Sequence, residues 1–323
     1  MAAAATSAPA SGPSFLALGS RGAVPAHGLT VVLLPGLGGN ALTFPTQLMD
    51  AVGAATDAAL VLSVTYGFPF GPTMEDTADS VWAALRGLPL VAPLLPLPSR
   101  VLLLGYSMGG FVAQAMAARA PAWVALQGLV LVASAVPSAA RLPAPASELW
   151  RSLTVKPPLT VMQRLQGLFP HKWLKGATEP TLRALAATLD AAHVTKAVRT
   201  QQLVVLMRFL FSDGVARLVD AHAHAPLRIL ALHGAQDRVL DAGTLQRTLD
   251  QVVAAVSGTD QGRPATVDFK LFPDAGHGLP YQEGAALVAA LHAWWAAAGV
   301  VDAGTGLAAD TPDATLLPGL FWL

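Results

Sequence analysis

Val101-Leu102-Leu103-Leu104-Gly105-Tyr106-Ser107-Met108-Gly109-Gly110-Phe111-Val112-Ala113-Gln114-Ala115-Met116-Ala117-Ala118 is the most informative run of the chain. Its first part is a continuous apolar run suited to a strand, and its last part is an alanine-rich run suited to a helix. Ser107 stands at the junction, with Gly105 and Gly109 two residues away on either side. A chain that passes from strand to helix so abruptly brings those two positions too close to neighbouring backbone to carry a Cβ. The serine hydroxyl is thereby pushed into an open cleft, above a helix N-terminus that favours developing negative charge. Such a pentapeptide also arises as a plain turn in a glycine-rich chain. The strand before it and the helix after it favour the functional reading.

From Leu29 onward the same alternation recurs. Leu29–Leu34, Leu60–Thr65, Val101–Leu104, Leu129–Val132, Arg228–Leu232 and Thr266–Leu271 read as strands. Thr73–Leu85, Met108–Arg119, Asp241–Val256 and Glu283–Ala298 read as helices, the first capped by Thr73 with Glu75, Asp76 and Asp79 in its N-terminal half. Nearly all-apolar strands separated by helices describe a parallel sheet covered on both faces. The expected fold class is α/β, a doubly wound, mostly parallel sheet. Functional residues of such sheets gather beyond the carboxyl ends of the strands, and Ser107 stands at one.

The alternation breaks between Ser134 and Ala225. Prolines 137, 143, 145, 157 and 158 precede helix-like segments around Leu159–Phe169, Thr181–Leu189 and Lys196–Phe211. A helical insertion of this kind reads as a cap over the cleft. Its apolar residues (Leu149, Trp150, Leu159, Met162, Leu165, Leu168, Phe169, Trp173, Met207, Phe209, Leu210 and Phe211) are expected to form mostly the cap's own core. The expected organisation is a disordered N-terminal tail over 1–28, an α/β core over 29–133 and 226–299, a helical cap over 134–225, and a C-terminal tail over 300–323.

Composition narrows the function classes. With 53% apolar and 12% charged residues, the 323-residue chain has ample material for a large core. Its 20 basic and 20 acidic residues cancel and form no Lys/Arg stripe, so no nucleic-acid partner is expected. The absence of cysteine removes disulfides, thiolate zinc sites and a cysteine nucleophile, and fits a reducing compartment. No apolar run reaches the roughly 18 residues of a membrane span; the greasy segment 88–98 is broken by four prolines. A soluble, cytoplasmic protein is expected. Organellar import is the alternative, since residues 1–28 carry a single charge, Arg21, and no acid.

A serine hydroxyl is a weak nucleophile and needs a base, which in turn needs an orienting acid. Of the eight histidines, His277 lies in the glycine-flanked loop Phe272-Pro273-Asp274-Ala275-Gly276-His277-Gly278, just after the sixth strand. His27 lies in the tail, His171 and His193 in the expected cap, and His292 within the last helix. His222 and His224 have no further ligand set nearby and read as a solvated linker rather than a metal site. His233 reads as a packed, hydrogen-bonded strand end. Asp237 follows the fifth strand and is the expected acid. Asp241 reads as a helix N-cap, and Asp274 is too close along the chain to His277 for a straight bond. An oxyanion would need two preorganised donors: the N–H of Met108, after the serine, and one from the loop Pro35-Gly36-Leu37-Gly38-Gly39-Asn40, with Leu37 the best candidate. That loop lacks the Lys-Ser/Thr ending of a phosphate-binding loop.

Taken in order, Pro35-Gly36-Leu37-Gly38-Gly39, Gly105-Tyr106-Ser107-Met108-Gly109, Gly234-Ala235-Gln236-Asp237 and Gly276-His277-Gly278 resemble the α/β-hydrolase superfamily across Leu29 to Ala298. The resemblance implies a nucleophile elbow at Ser107, a Ser107–Asp237–His277 triad and capped, soluble esterase-like or lactonase-like relatives. It also calls for two opening antiparallel strands, of which Phe15–Leu18 is the only visible trace. Pro35 stands where the family usually has histidine, and Val239 and Leu240 occupy a region where proline is common after the acid. A serine nucleophile is unlike the aspartate of dehalogenase and epoxide-hydrolase members.

The expected activity is hydrolysis of an ester, thioester or lactone of a small, largely apolar substrate. No cofactor or metal is expected, and a small molecule is the expected partner. The alternatives are a lyase, acyltransferase or perhydrolase using the same residues, and a non-catalytic binding protein of this fold.

Overall fold

The structure, a computed structural model, describes residues 4–6, 12–19, 28–67, 70–88, 99–137, 161–192, 194–210, 212–224, 226–257 and 265–297. The expected C-terminal tail, residues 138–160 of the expected cap, His27 and His193 lie outside them.

Eight strands form one sheet: β1 (Ala4–Thr6), β2 (Ser14–Gly19), β3 (Leu29–Leu34), β4 (Ala58–Thr65), β5 (Ser99–Tyr106), β6 (Val124–Val132), β7 (Arg228–Gly234) and β8 (Thr266–Phe272). Their spatial order is β1-β2-β4-β3-β5-β6-β7-β8. From β4 to β8 every neighbouring pair is parallel, and β1 and β2 run antiparallel. The fold is the expected α/β sheet with flanking helices. The N-terminal expectation needs correcting, because Ser14–Gly19 pairs along its length with Leu60–Thr65 and Phe15 is buried. This six-residue strand is the opening antiparallel element that the resemblance called for.

Alternation within each strand builds two cores. In β3, Val32 and Leu34 face one side of the sheet, with Phe111, Val112, Leu218 and Leu249. Val31 and Leu33 face the other, with Phe44, Met49, Leu291 and Trp295. The first side is covered by α2 (Met74–Arg86), α3 (Met108–Ala118), α8 (Gly214–His224) and α9 (Ala242–Ser257), the second by α1 (Thr46–Thr56) and α10 (Gly284–Ala297). Helix α3 is buried all round from Met108 to Ala117, which is why its sequence is apolar on every face. Thr73 caps α2 in a capping box with Asp76, and Asp241 Oδ2 accepts from Thr244 N–H at 2.6 Å before α9, as their residue types suggested. β8 departs from expectation: it is an edge strand, and only Phe272 of its seven residues is buried.

Between β6 and β7 lie α4 (Val161–Leu168), α5 (His171–Gly176), α6 (Glu179–Ala191), α7 (Lys196–Leu210) and α8. They do not form one body. Leu165, Phe169, Leu185 and Tyr281 make a separate small cluster, with Phe169 and Trp173 stacked at 4.8 Å. Phe209 and Leu210 instead join the main core, Phe209 lying 5.8 Å from Phe111. Helix α8 packs in the layer of α3 and α9, with Leu218 and Ala221 in that core. Met162 is exposed.

Candidate active site

Three loops meet at the carboxyl edge of the sheet. Ser107, between β5 and α3, has φ 53° and ψ −120°, a left-handed backbone that side-chain-bearing residues rarely adopt. Its neighbours over-determine this turn. Ser107 N–H donates to Val132 C=O at 2.9 Å, and Ser107 C=O accepts from Gly110 N–H and from Ser134 Oγ, each at 2.9 Å. A Cβ at Gly105 would overlap the backbone of Gly109 and Gly110, and one at Gly109 would overlap the Leu34 and Pro35 carbonyls. The two glycines are therefore there for close approach, as the sequence suggested.

His277 is carried by the loop after β8 and Asp237 by the loop after β7. The structure brings both to Ser107: Ser107 Oγ lies 2.8 Å from His277 Nε2, and His277 Nδ1 lies 2.8 Å from Asp237 Oδ2. An ionised carboxylate only accepts, so Nδ1 carries the proton and Nε2 turns its lone pair to the serine hydroxyl. His277 is 4% exposed, and the Asp237 side chain is fully buried. Burial by itself would raise the Asp237 pKa. The electrostatic pull of the His277 imidazole and hydrogen bonds from His233 and His277 outweigh it and hold this carboxyl below the ordinary carboxylate range.

Asp237 uses both oxygens fully. Oδ1 accepts from Val239 N–H at 2.7 Å and Leu240 N–H at 2.9 Å, while Oδ2 faces His277 and His233 Nε2, the latter at 3.3 Å. Proline at 239 or 240 would forfeit one of these donors. His233, wholly buried at the end of β7, also directs Nε2 to Leu240 C=O at 3.0 Å. Both neighbours are acceptors, so its proton sits on Nε2.

The loop after β3 lies against the serine: a Cβ on Gly36 would stand 3.1 Å from Ser107 Cβ. Tyr66 Oη donates to Pro35 C=O at 3.1 Å, a tether for the residue that replaces the usual histidine. Neither Leu37 N–H nor Met108 N–H has an acceptor among the described residues. Such an arrangement suits acyl transfer, with a nucleophile–base–acid chain beside free backbone donors.

Other candidates fall elsewhere. Asp274 is exposed and faces Lys172 at 3.7 Å. His222 is buried rather than solvated, its Nδ1 accepting from Leu227 N–H at 3.0 Å. Among the described residues no three His, Asp or Glu side chains cluster as a metal site, and no helix is long and apolar enough to cross a membrane. A cleft of about 580 Å³ is lined by Lys172, Trp173, Gln236, Asp274, Tyr281 and Glu283, but Ser107 and His277 do not line it. Two contacts at these loops come from residues not expected there. Ser134, bonded to Ser107 C=O, follows the carboxyl end of β6, the position such sheets favour for function; Gln202, within α7, accepts from Gly38 N–H at 2.9 Å and carries no such signal.

Residues 31–291 match the model of the alpha/beta hydrolase family. The chain belongs to that family. Among solved structures, this family member is similar to a hydrolase from Pseudomonas aeruginosa, at 20% identity over 87% of this chain and 93% of the other, with a TM-score of 0.60. It is similar to the enol-lactonase from Burkholderia xenovorans at 17% identity, covering 88% and 96% of the two chains, with a TM-score of 0.60. A thermophilic esterase from Thermogutta terrifontis is also 17% identical, over 88% and 93%, with a TM-score of 0.60. At these identities the likeness is one of fold. No curated protein matches the sequence.

Proposed function

We propose that this alpha/beta hydrolase is a serine hydrolase that cleaves an ester, thioester or lactone of a small, largely apolar substrate. The observation that carries the proposal is the unbroken hydrogen-bonded chain from Ser107 Oγ through His277 to Asp237, with both links at 2.8 Å. Ser107 Oγ attacks the substrate carbonyl while His277 Nε2 takes its proton. Asp237 holds the imidazole in that tautomer and stabilises the imidazolium that forms. The N–H groups of Leu37 and Met108 receive the oxyanion, each contributing about 3 kcal/mol of transition-state stabilisation. His277 returns the proton to the leaving alcohol or thiol, and water activated by the same imidazole releases the acid. Helices α4 to α7, between β6 and β7, serve as the cap. Leu168 C=O accepts from Gly278 N–H at 2.8 Å and Phe169 covers Gly278, so this segment lies directly on the loop of the base. An esterase and an enol-lactonase of this fold are consistent with carbonyl esters as the substrate class.

A fluorophosphonate probe tests the reading. Labelling of the purified protein that disappears in Ser107→Ala is expected, and equal labelling of both would sink it. p-Nitrophenyl esters of graded acyl length, beside lactones, then define the substrate. Adding alcohol or peroxide to the assay separates hydrolysis from transfer.

A further inference from the structure

The Pro35–Asn40 loop is shaped by a residue from a distant helix. Gly39 N–H donates to Gly36 C=O at 3.0 Å, and Gly38 has φ 77° while Leu37 is not among the residues of positive φ. Residues 36–39 therefore form a type II turn, whose third position calls for glycine. Types I and II differ by a flip of the central peptide, here the one between Leu37 and Gly38. Gln202 Oε1, on α7 and fully buried, accepts the N–H of that peptide at 2.9 Å. In a type I turn, Gly38 N–H would swing away and the Leu37 carbonyl would face the Gln202 oxygen, acceptor against acceptor.

The same helical segment holds the rest of the loop. Gly38 C=O accepts from Val194 N–H at 3.0 Å, and Asn40 Nδ2 donates to Ala191 C=O at 3.2 Å. Next to Gln202, Gln201 pairs with both the N–H and the C=O of Phe70, at 2.8 and 2.6 Å, which anchors α7 to the body of the sheet. Within the turn, Gly36 C=O is engaged by Gly39. Because the Gly36–Leu37 amide is planar and trans, its other end, Leu37 N–H, points out of the turn.

We propose that Gln202 is a positioning residue for the reaction: by bonding Gly38 N–H it holds the Gly36–Gly39 turn in place beside Ser107, and with it the Leu37 N–H that receives the oxyanion. The inference rests on the serine-hydrolase reading. Its effect belongs on kcat, because the oxyanion exists only after attack. Gln202 also offers a clean substitution. Gly38 N–H can only donate, so Oε1 is the bound end, and the buried Nε2 has no partner among the described residues. Gln202→Glu keeps the acceptor and removes no protein hydrogen bond, whereas Gln202→Leu removes the acceptor at similar volume.

Steady-state kinetics on a p-nitrophenyl ester, with the rate of fluorophosphonate labelling, test this. Gln202→Leu is expected to lower kcat by roughly 10- to 100-fold and slow labelling in step, with KM within about twofold. Gln202→Glu is expected to recover most of the loss. An unchanged kcat, a change confined to KM, or equal losses in the two variants overturns the proposal. Should Gln202→Leu fail to fold, Gln202→Asn, one methylene too short to reach Gly38, is read the same way. The two readings fail separately. Wild-type protein that is not labelled at Ser107 sinks both, whereas labelled wild type with an unaffected Gln202→Leu sinks only the positioning role.

Discussion

Ser107 is held at φ 53° by hydrogen bonds to Val132, Gly110 and Ser134, in a conformation that costs a residue with a Cβ about 1–3 kcal/mol. Glycine adopts it freely. Ser107→Gly is therefore expected to be more stable than Ser107→Ala by about 1 kcal/mol in urea unfolding, the N-cap position adding to the preference for glycine. The reverse order would mean that the turn relaxes when the side chain changes. At this scale, residue type and position made Ser107, Asp237 and His277 legible, because each is a polar residue just beyond an apolar strand. The supports were less legible. His233 was readable as a packed, hydrogen-bonded strand end but not as a partner of Asp237, whereas Ser134 and Gln202 each reach across the fold by one hydrogen bond, to Ser107 and Gly38, that nothing in their local sequence marks.

Among the elements, β3 to β7 were read easily because a strand buried on both faces must be apolar almost throughout. β2 was visible only as the trace Phe15–Leu18, and α1 was not read. β2 sits in a segment rich in Ala, Ser, Pro and Gly, and its pairing comes from β4, beyond the intervening β3. α1 buries Leu48, Met49, Val52, Ala55 and Thr56 at helical spacing, but Gly53 and small residues blur the pattern. Residues 214–224 fell within the expected cap, with His222 and His224 read as a solvated linker, whereas a helix forms there and its Leu218 and Ala221 pack in the main core. β2 leads to a direct expectation. It covers the edge of β4, whose residues Leu60 to Val64 are all buried. Removing residues 1–19 should lower the thermal midpoint and raise self-association in light scattering, since a long apolar edge is left unpaired. An unchanged midpoint would show that this strand contributes nothing to the fold.

For the whole molecule, burial of the Asp237 carboxylate links the site to global stability. Its folded pKa lies below the ordinary value near 4, so as pH falls the unfolded chain takes up the proton first. The stability it contributes is complete above that ordinary value and is lost as pH drops toward the folded one. Wild-type protein should thus lose on the order of 2 kcal/mol more than Asp237→Asn between about pH 5 and pH 2, measured by denaturant unfolding at each pH. Parallel pH profiles for the two would contradict the buried, ionised assignment. Apolar periodicity and glycine spacing, as local constraints on backbone and burial, were enough to specify the parallel α/β architecture, the Ser107 turn and the order of the three polar residues. How that turn is held, which helices belong to the core and which residue shapes the Pro35–Asn40 loop emerged from the folded arrangement. Those depend on contacts between segments as far apart as Gly38 and Gln202, and burial makes such a hydrogen bond matter without leaving any pattern along the chain.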